Sequence, residues 1–331
     1  EWIMPDQLIY GIEVFFNGLM AGVLYSLVAL GFVLIYKASG IFNYAQGVMA
    51  LFAAMTLVGV IEGQIPFAHL INAILGTEIH HFGWHLPALL GIILTMIVMI
   101  GLAWLVQRII FKHLVGQEPI ILFMATIGLA YFMEGLGDMM WGANIKKLDV
   151  GLPQGINLWI DETTFNIFDY GFFIDNLDIV ASVIAAILVG VLVIFSQYTK
   201  EGRAMRAVAD DHQAALSVGV SLNFIWIMVW SVAGFVALVA GIMWGTKSGV
   251  QFSLSLIALK ALPVLMLGGF TSIPGAIIGG LIIGVGEKLF EFTVGPLIGG
   301  ATENWFAYVL ALLVLVFRPQ GLFGEKIIER V

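Results

Sequence analysis

Lys200-Glu201-Gly202-Arg203-Ala204-Met205-Arg206-Ala207-Val208-Ala209-Asp210-Asp211-His212-Gln213-Ala214-Ala215-Leu216 is a polar stretch set between two long apolar segments. Arg203, Arg206, Asp210 and Gln213 recur at helical spacing on one side, whereas Met205, Val208 and Leu216 lie elsewhere, so the spacing predicts a short amphipathic helical element. Asp210 followed by Gln213 reads as an N-cap with its partner three residues on. A second short helix then starts there and stops near Gly219, where a left-handed residue caps it. Arginines beside membrane spans belong on the cytoplasmic side. The stretch therefore reads as a docking surface for a cytoplasmic partner.

The flanks set the class of fold. Sixty per cent of the residues are hydrophobic and 11% are charged, and the mean hydropathy is +1.02. These values lie outside the soluble range and imply a polytopic membrane protein. No polar block is long enough for a separate soluble domain, so residues 1–331 read as one transmembrane domain. With no cysteine, disulfides, thiolate nucleophiles and cysteine-ligated metals are excluded. The net charge of -8 reflects acids on the outer side and bases on the inner side, not a nucleic-acid surface. The first apolar run passes Leu30 without a charged leader and cleavage site, so no cleavable signal peptide is expected.

Apolar runs of about 17 to 25 residues are candidate spans. They fall near 13–36, 41–61, 86–110, 118–137, 179–197, 222–245, 255–270, 273–290 and 304–317. The expected fold is thus an all-α integral membrane protein of about eight to nine transmembrane helices, some broken or re-entrant, with a short amphipathic cytoplasmic helical element. Nine spans place the N-terminus outside and the C-terminus inside. Lys37, Arg108, Lys112, Lys200, Arg203, Arg206, Arg318, Lys326 and Arg330 are then cytoplasmic, and Lys146, Lys147 and Lys247 external. Residues 138–178, with Trp141, Pro153, Trp159 and several acids, form an external loop suited to the bilayer surface, and 198–220 a cytoplasmic one. Gly18, Gly22 and Gly31 in the first span, and Gly275, Gly279, Gly280, Gly284 and Gly286 in the eighth, suit close helix packing in lipid.

Asn43-Tyr44-Ala45-Gln46-Gly47 and Thr271-Ser272-Ile273-Pro274-Gly275 each interrupt an apolar run with polar and small residues. Paired interruptions in two halves point to a transport path. Asn43 and Gln46 either line such a path or satisfy backbone groups freed by the break. Ionisable residues within spans are costly and mark functional candidates. Lys260 is the sharpest, pairing with a carboxylate of another helix or contacting a solute. Glu134 and Glu287 lie closer to span ends.

Enzymatic motifs are absent. Gly245-Thr246-Lys247-Ser248 lacks the earlier glycine of a phosphate-binding loop, and no Gly-x-Ser-x-Gly elbow, His-Glu-x-x-His helix or dinucleotide fingerprint occurs. His80, His81 and His85 cluster on the external segment 62–85, where an exposed polar loop explains them better than a metal site. No cofactor is expected. An ion-driven secondary carrier, the alternative of a different class, needs a relay of buried carboxylates, and only Glu134, Lys260 and Glu287 are available.

Gly18-Leu19-Met20-Ala21-Gly22-Val23-Leu24-Tyr25, followed by Asn43-Tyr44-Ala45-Gln46-Gly47, resembles the opening of branched-chain amino acid ABC transporter permeases of the LivH/LivM type, closer to LivH. Gly202-Arg203-Ala204-Met205-Arg206-Ala207 is similar to that family's cytoplasmic loop. Leu259-Lys260-Ala261, Leu267-Gly268-Gly269, Gly275-Ala276-Ile277-Ile278-Gly279-Gly280 and Arg318-Pro319-Gln320-Gly321-Leu322-Phe323-Gly324 are similar to its closing pattern. The resemblance spans almost the whole chain. It implies a multi-pass importer permease of the bacterial cytoplasmic membrane, paired with a second homologous permease, two cytoplasmic ATPases that bind the ATP, and an external solute-binding protein.

On that resemblance Glu201, Gly202, Arg203, Met205, Arg206, Ala207, Asp210 and Ala215 couple to the ATPases, and Asn43, Gln46, Gly47, Glu134, Lys260, Thr271 and Ser272 are candidates for the translocation path. The implied solute is a branched-chain or other hydrophobic amino acid. Tyr44-Ala45-Gln46 stands where the family often has Phe-Ala-His, and the segment 138–178 is long. Both departures keep urea, amides and aromatic acids, carried by similar architectures, as alternatives.

Overall fold

The computed structural model describes residues 5–114, 117–158, 173–210 and 212–324. Trp159, Lys326 and Arg330 lie outside the described residues, as do the side chains of Asp210 and Gln213. The chain forms α1 (Pro5–Ser39), α2 (Gln46–Ile61), α3 (Ala68–Leu75), α4 (Ala88–Ile109), α5 (Pro119–Trp141), β1 (Ile156–Leu158), β2 (Phe173–Asp175), α6 (Asn176–Tyr198), α7 (Lys200–Asp210), α8 (His212–Ser217), α9 (Leu222–Ser248), α10 (Ile257–Gly268), α11 (Ile273–Thr293), α12 (Gly295–Ile298) and α13 (Phe306–Phe317). β1 and β2 pair antiparallel, with Ile156 opposite Asp175.

Six of the described helices are long and apolar enough to cross a membrane: Tyr10–Ser39, Ala88–His113, Pro119–Trp141, Asn176–Tyr198, Leu222–Ser248 and Ile273–Thr293. This corrects the expected eight to nine. The runs at 41–61, 255–270 and 304–317 fold into the shorter helices Gln46–Ile61, Phe252–Gly268 and Phe306–Phe317. At 1.5 Å per residue, the 16 residues of α2 reach about 24 Å and the 12 of α13 about 18 Å, short of a hydrocarbon core of about 30 Å. Apolar residues were present in each run, but part of each is spent on non-helical backbone. Residues 41–45 are unwound or turned ahead of α2, and 252–256 form a 3-10 turn ahead of α10.

The helices group into two compact units, 1–30 with 152–191 and 260–331, and 31–151 with 192–259. In the second unit α2 is the centre, packed by α4, α5, α9 and the 3-10 turn. Every residue of α2 from Gln46 to Gly59 is buried. Over its most apolar window α9 is 72% buried against 28% for α4, so α9 is interior and most of the surface of α4 is left uncovered by this chain.

In the first unit, α1 and α11 meet through glycines. A methyl group on Gly18 would lie 2.7 Å from the Val285 Cα, and one on Gly22 2.8 Å from the Gly280 carbonyl oxygen. Only bare backbone permits that approach, which lipid-embedded helices use to gain dispersion contacts. Ser26 Oγ then reaches the carbonyl oxygens of Gly22 at 2.8 Å and Ile277 at 3.0 Å. Phe290 stacks on Phe306 with centroids 4.7 Å apart, joining α11 to α13.

Candidate functional site

The polar stretch forms an elbow. α6 stops at Tyr198 and α7 begins at Lys200, leaving Thr199 to turn the chain. Thr199 Oγ1 donates to the Phe195 carbonyl at 2.6 Å and accepts from the Gly202 amide at 2.9 Å. Gly202 presses directly on the carbonyls of Phe195 and Ser196, where a side chain has no room. The last carbonyls of a helix lack partners within it and attract cations. Arg203 Nη1 donates to the Tyr198 oxygen at 3.4 Å, and Arg206 Nη2 to the Gln197 oxygen at 3.1 Å. The two arginines thus close the end of α6.

The eight residues assigned to the elbow divide by burial. Gly202, Met205 and Ala215 are buried, with Met205 at 1% exposure, and together with Val208 they seat the elbow; α7 packs on α8 and α9. Glu201, Arg203 and Ala207 are exposed. Arg206 is partly covered, and Asp210 supplies the last residue of α7. After α8, Gly219 turns the chain with φ +87°.

At the break before α2, Asn43 and Gln46 are fully enclosed, at 0% and 1% exposure. Asn43 Nδ2 donates to Gln46 Oε1 at 3.1 Å, and Asn43 Oδ1 accepts from the Ala45 amide at 3.1 Å. Gln46 Nε2 donates to the Ala233 carbonyl of α9 at 3.1 Å. The Tyr44 amide donates to Thr126 Oγ1 at 3.2 Å. These side chains satisfy backbone groups released by the break, as buried non-helical backbone at membrane depth requires. Gly47 faces the Ser255 carbonyl in close packing. Glu134 is partly exposed on α5 and makes no hydrogen bond or ion pair among the described residues.

Lys260, Thr271 and Ser272 belong to the other unit. Lys260 Nζ contacts Glu287 Oε2 at 3.2 Å and donates to the Glu303 carbonyl at 2.7 Å. Glu287 has no exposed surface and also accepts from Tyr25 Oη at 2.6 Å. Lys288 Nζ bridges to Glu303 at 2.9 Å. This knot joins α1, α10, α11 and the 3-10 turn Thr302–Asn304. Sequence reasoning singled out Lys260 but missed Tyr25 and Glu303; the available signal for Tyr25 was a hydroxyl in mid-span, three residues past Gly22. Thr271 lies in the turn between α10 and α11, and Ser272 caps α11 by accepting from the Gly275 amide at 3.0 Å.

Among the described residues no group of His, Cys, Asp and Glu is placed to hold a metal ion. Among the described residues, buried polar side chains at the break and in the knot bond one another, and the polar elbow presents the exposed charges of Glu201 and Arg203.

Comparison with known proteins gives the family. The family model described as branched-chain amino acid transport system / permease component matches residues 14–318. The high-affinity branched-chain amino acid transport system permease protein LivH of Salmonella typhimurium is 28% identical over 331 residues, covering 99% of this chain and 100% of that protein. The corresponding BraD of Pseudomonas aeruginosa is 28% identical with the same coverage. The fructose import permease protein FruG of Bifidobacterium longum is 23% identical over 302 residues, 88% of this chain and 82% of that protein. With nearly its whole length matched, this chain belongs to the family of permease components of branched-chain amino acid transport systems.

Proposed function

We propose that the chain is the membrane permease of an ABC importer that takes up a branched-chain or other hydrophobic amino acid across the bacterial cytoplasmic membrane. The observation that carries this reading is the family match over residues 14–318. A second homologous permease, two cytoplasmic ATPases and an external solute-binding protein complete the machine.

The elbow is the contact for the ATPases. Its exposed face, Glu201, Arg203 and Ala207, meets the partner, while Gly202, Met205 and Ala215 fix it to the spans so that a push on α7 reaches α6 and α9. Asn43, Gln46 and Gly47, closed over in this conformation, lie where the broken segment has to rearrange for a path to open. The chain itself forms and breaks no covalent bonds in this scheme.

Reconstitution of the chain with its copurifying subunits in proteoliposomes tests the reading. Uptake of labelled leucine should require both internal ATP and the external binding protein. Uptake by the chain alone, driven by an ion gradient, would overturn it.

A further inference from the structure

A polar pocket of about 220 Å³ opens beside the C-terminal end of α5. Residues 64–69, 80–81 and 140–146 contribute its walls, all within the second unit. Backbone bonds tie these walls together: the Ile65 amide donates to the His80 carbonyl at 3.0 Å, and Lys146 exchanges backbone hydrogen bonds with Val250. The lining is one-signed. Lys146, His69, His80, His81 and Asn144 line it, and no lining residue is an acid.

Several of its polar groups are already committed. Gln64 Oε1 accepts from Lys146 Nζ at 2.7 Å, and Gln64 Nε2 donates to Glu62 at 2.6 Å. Lys146 Nζ also donates to the Trp141 carbonyl at 2.6 Å, which leaves one ammonium proton. Trp141 Nε1 is spent on Thr56. By contrast, the three imidazoles and the Asn144 amide make no hydrogen bond among the described residues, apart from a ring contact of 5.6 Å between His69 and His80. These side chains are exposed at the cavity wall, so the imidazoles, the Asn144 amide and the remaining Lys146 proton all offer donors to a ligand.

Burial holds the Lys146 ammonium below its ordinary pKa, with the Glu62 carboxylate opposing that shift. A bound anion would offset the same burial cost. The histidines are not arranged to close on a single metal ion, so a ligand that spans them fits better. At about 220 Å³ the cavity is smaller than the roughly 300–1,000 Å³ typical of sites for drug-sized ligands. It suits one ionic group on a short carbon stem.

From this geometry we infer that the pocket binds a carboxylate, whose oxygens accept from Lys146, Asn144 and the surrounding imidazoles. The carboxylate comes from a free small acid or amino acid, or from an acidic side chain of a protein docking on this face. The inference does not depend on the transport reading.

The test is a titration of the detergent-solubilised full chain, labelled with ¹⁵N in the imidazole rings, with sodium acetate and with sodium chloride at matched ionic strength. Of the six histidines, His69, His80 and His81 should shift saturably with acetate while His85 and His113 stay still. Asn144→Ala removes a donor that supports no other described residue and should weaken acetate binding roughly tenfold, the loss of one charge-assisted hydrogen bond. Lys146→Met should do the same; because it also releases the Trp141 carbonyl, Asn144→Ala is the cleaner variant. Equal shifts with chloride, uniform movement of all the histidines, no shift, or unchanged acetate binding in Asn144→Ala would each overturn the inference. L-leucine acting at lower concentration than acetate assigns the site to a free amino acid. Acetate acting where leucine does not assigns it to a carboxylate without an α-ammonium group beside it, from a small acid or a protein side chain, and excludes a free amino acid.

Discussion

Arg206 Nη2 reaches back nine residues to the Gln197 carbonyl at 3.1 Å, so a residue of the elbow holds shut the helix that delivers it. A cation at a helix C-terminus contributes about 0.3–1 kcal/mol, and an anion there has the opposite sign. Arg206→Glu should therefore loosen the α6 to α7 turn while leaving the six long spans inserted. In the reconstituted importer, solute-stimulated ATP hydrolysis is expected to fall toward the unstimulated rate. Stimulation at the native level would remove Arg206 from the coupling path.

Gly202→Val probes the same elbow without changing charge. Its side chain would collide with the carbonyls of Phe195 and Ser196, and backbone cannot step aside as a flexible side chain can. The turn must open, at about 1–3 kcal/mol for an overpacked site. Coupling should be lost at least as completely as in Arg206→Glu, and thermal unfolding in detergent should shift downward. Equal behaviour of Gly202→Val and the parent in both assays would show that the elbow tolerates being opened.

The Lys260 and Glu287 pair invites a double-mutant cycle. Removing Lys260 strands the fully buried Glu287 carboxylate, which costs about 3–5 kcal/mol. Lys260 is partly exposed and keeps the Glu303 carbonyl when Glu287 is removed, so that loss is smaller. Replacing both with apolar residues is often near neutral. Lys260→Met and Glu287→Leu should each lower the thermal midpoint, and the double variant should recover much of the loss. Uptake in the double variant separates two roles: retained transport marks the pair as a fastener of α10 to α11, and lost transport with recovered stability marks a direct part in moving solute.

Gln46→Leu should damage the fold more than its size suggests. It takes away the Gln46 Oε1 partner of the Asn43 amide at 3.1 Å, leaving that amide only a weak contact with Met49 Sδ at 3.5 Å, at about 1–3 kcal/mol for a buried group left poorly satisfied. The Ala233 carbonyl, inside α9, keeps its helical hydrogen bond. Reduced thermal stability with parallel loss of uptake is expected. Unimpaired stability with altered solute preference would instead make Gln46 a lining residue.

Long helices were legible because composition alone dictates them: twenty or more apolar residues in lipid have no alternative to helix. The shorter runs misled because hydropathy does not register where backbone unwinds. Asn43 through Ala45 are as easily read inside a span as before one, and only packing against α9 and the 3-10 turn sets α2 at 16 residues. The arginine elbow was legible as an amphipathic pattern, and two of its inward anchors, Met205 and Val208, stood on the face away from the arginines and are buried; Leu216, read with them, is exposed because α8 turns it outward. Lys260 announced itself as a charge in an apolar run, yet its partner lies 27 residues on and its third member, Tyr25, 262 residues from Glu287. Distances of that kind have no local signature.

The contact between the glycines of α1 and those of α11 sets a timetable for biosynthesis. Gly18, Gly22, Tyr25 and Ser26 are made early, but the backbone they fit against appears only when residues 277–287 emerge. The separation of 262 residues from Tyr25 to Glu287 takes roughly 13 to 50 seconds at about 5–20 residues per second. Throughout that interval the first helix stands in the bilayer with a groove and two hydroxyls awaiting their mates. A nascent chain that stalls before α11 thus lacks the backbone that Gly18 and Gly22 fit against and the carboxylate that accepts from Tyr25.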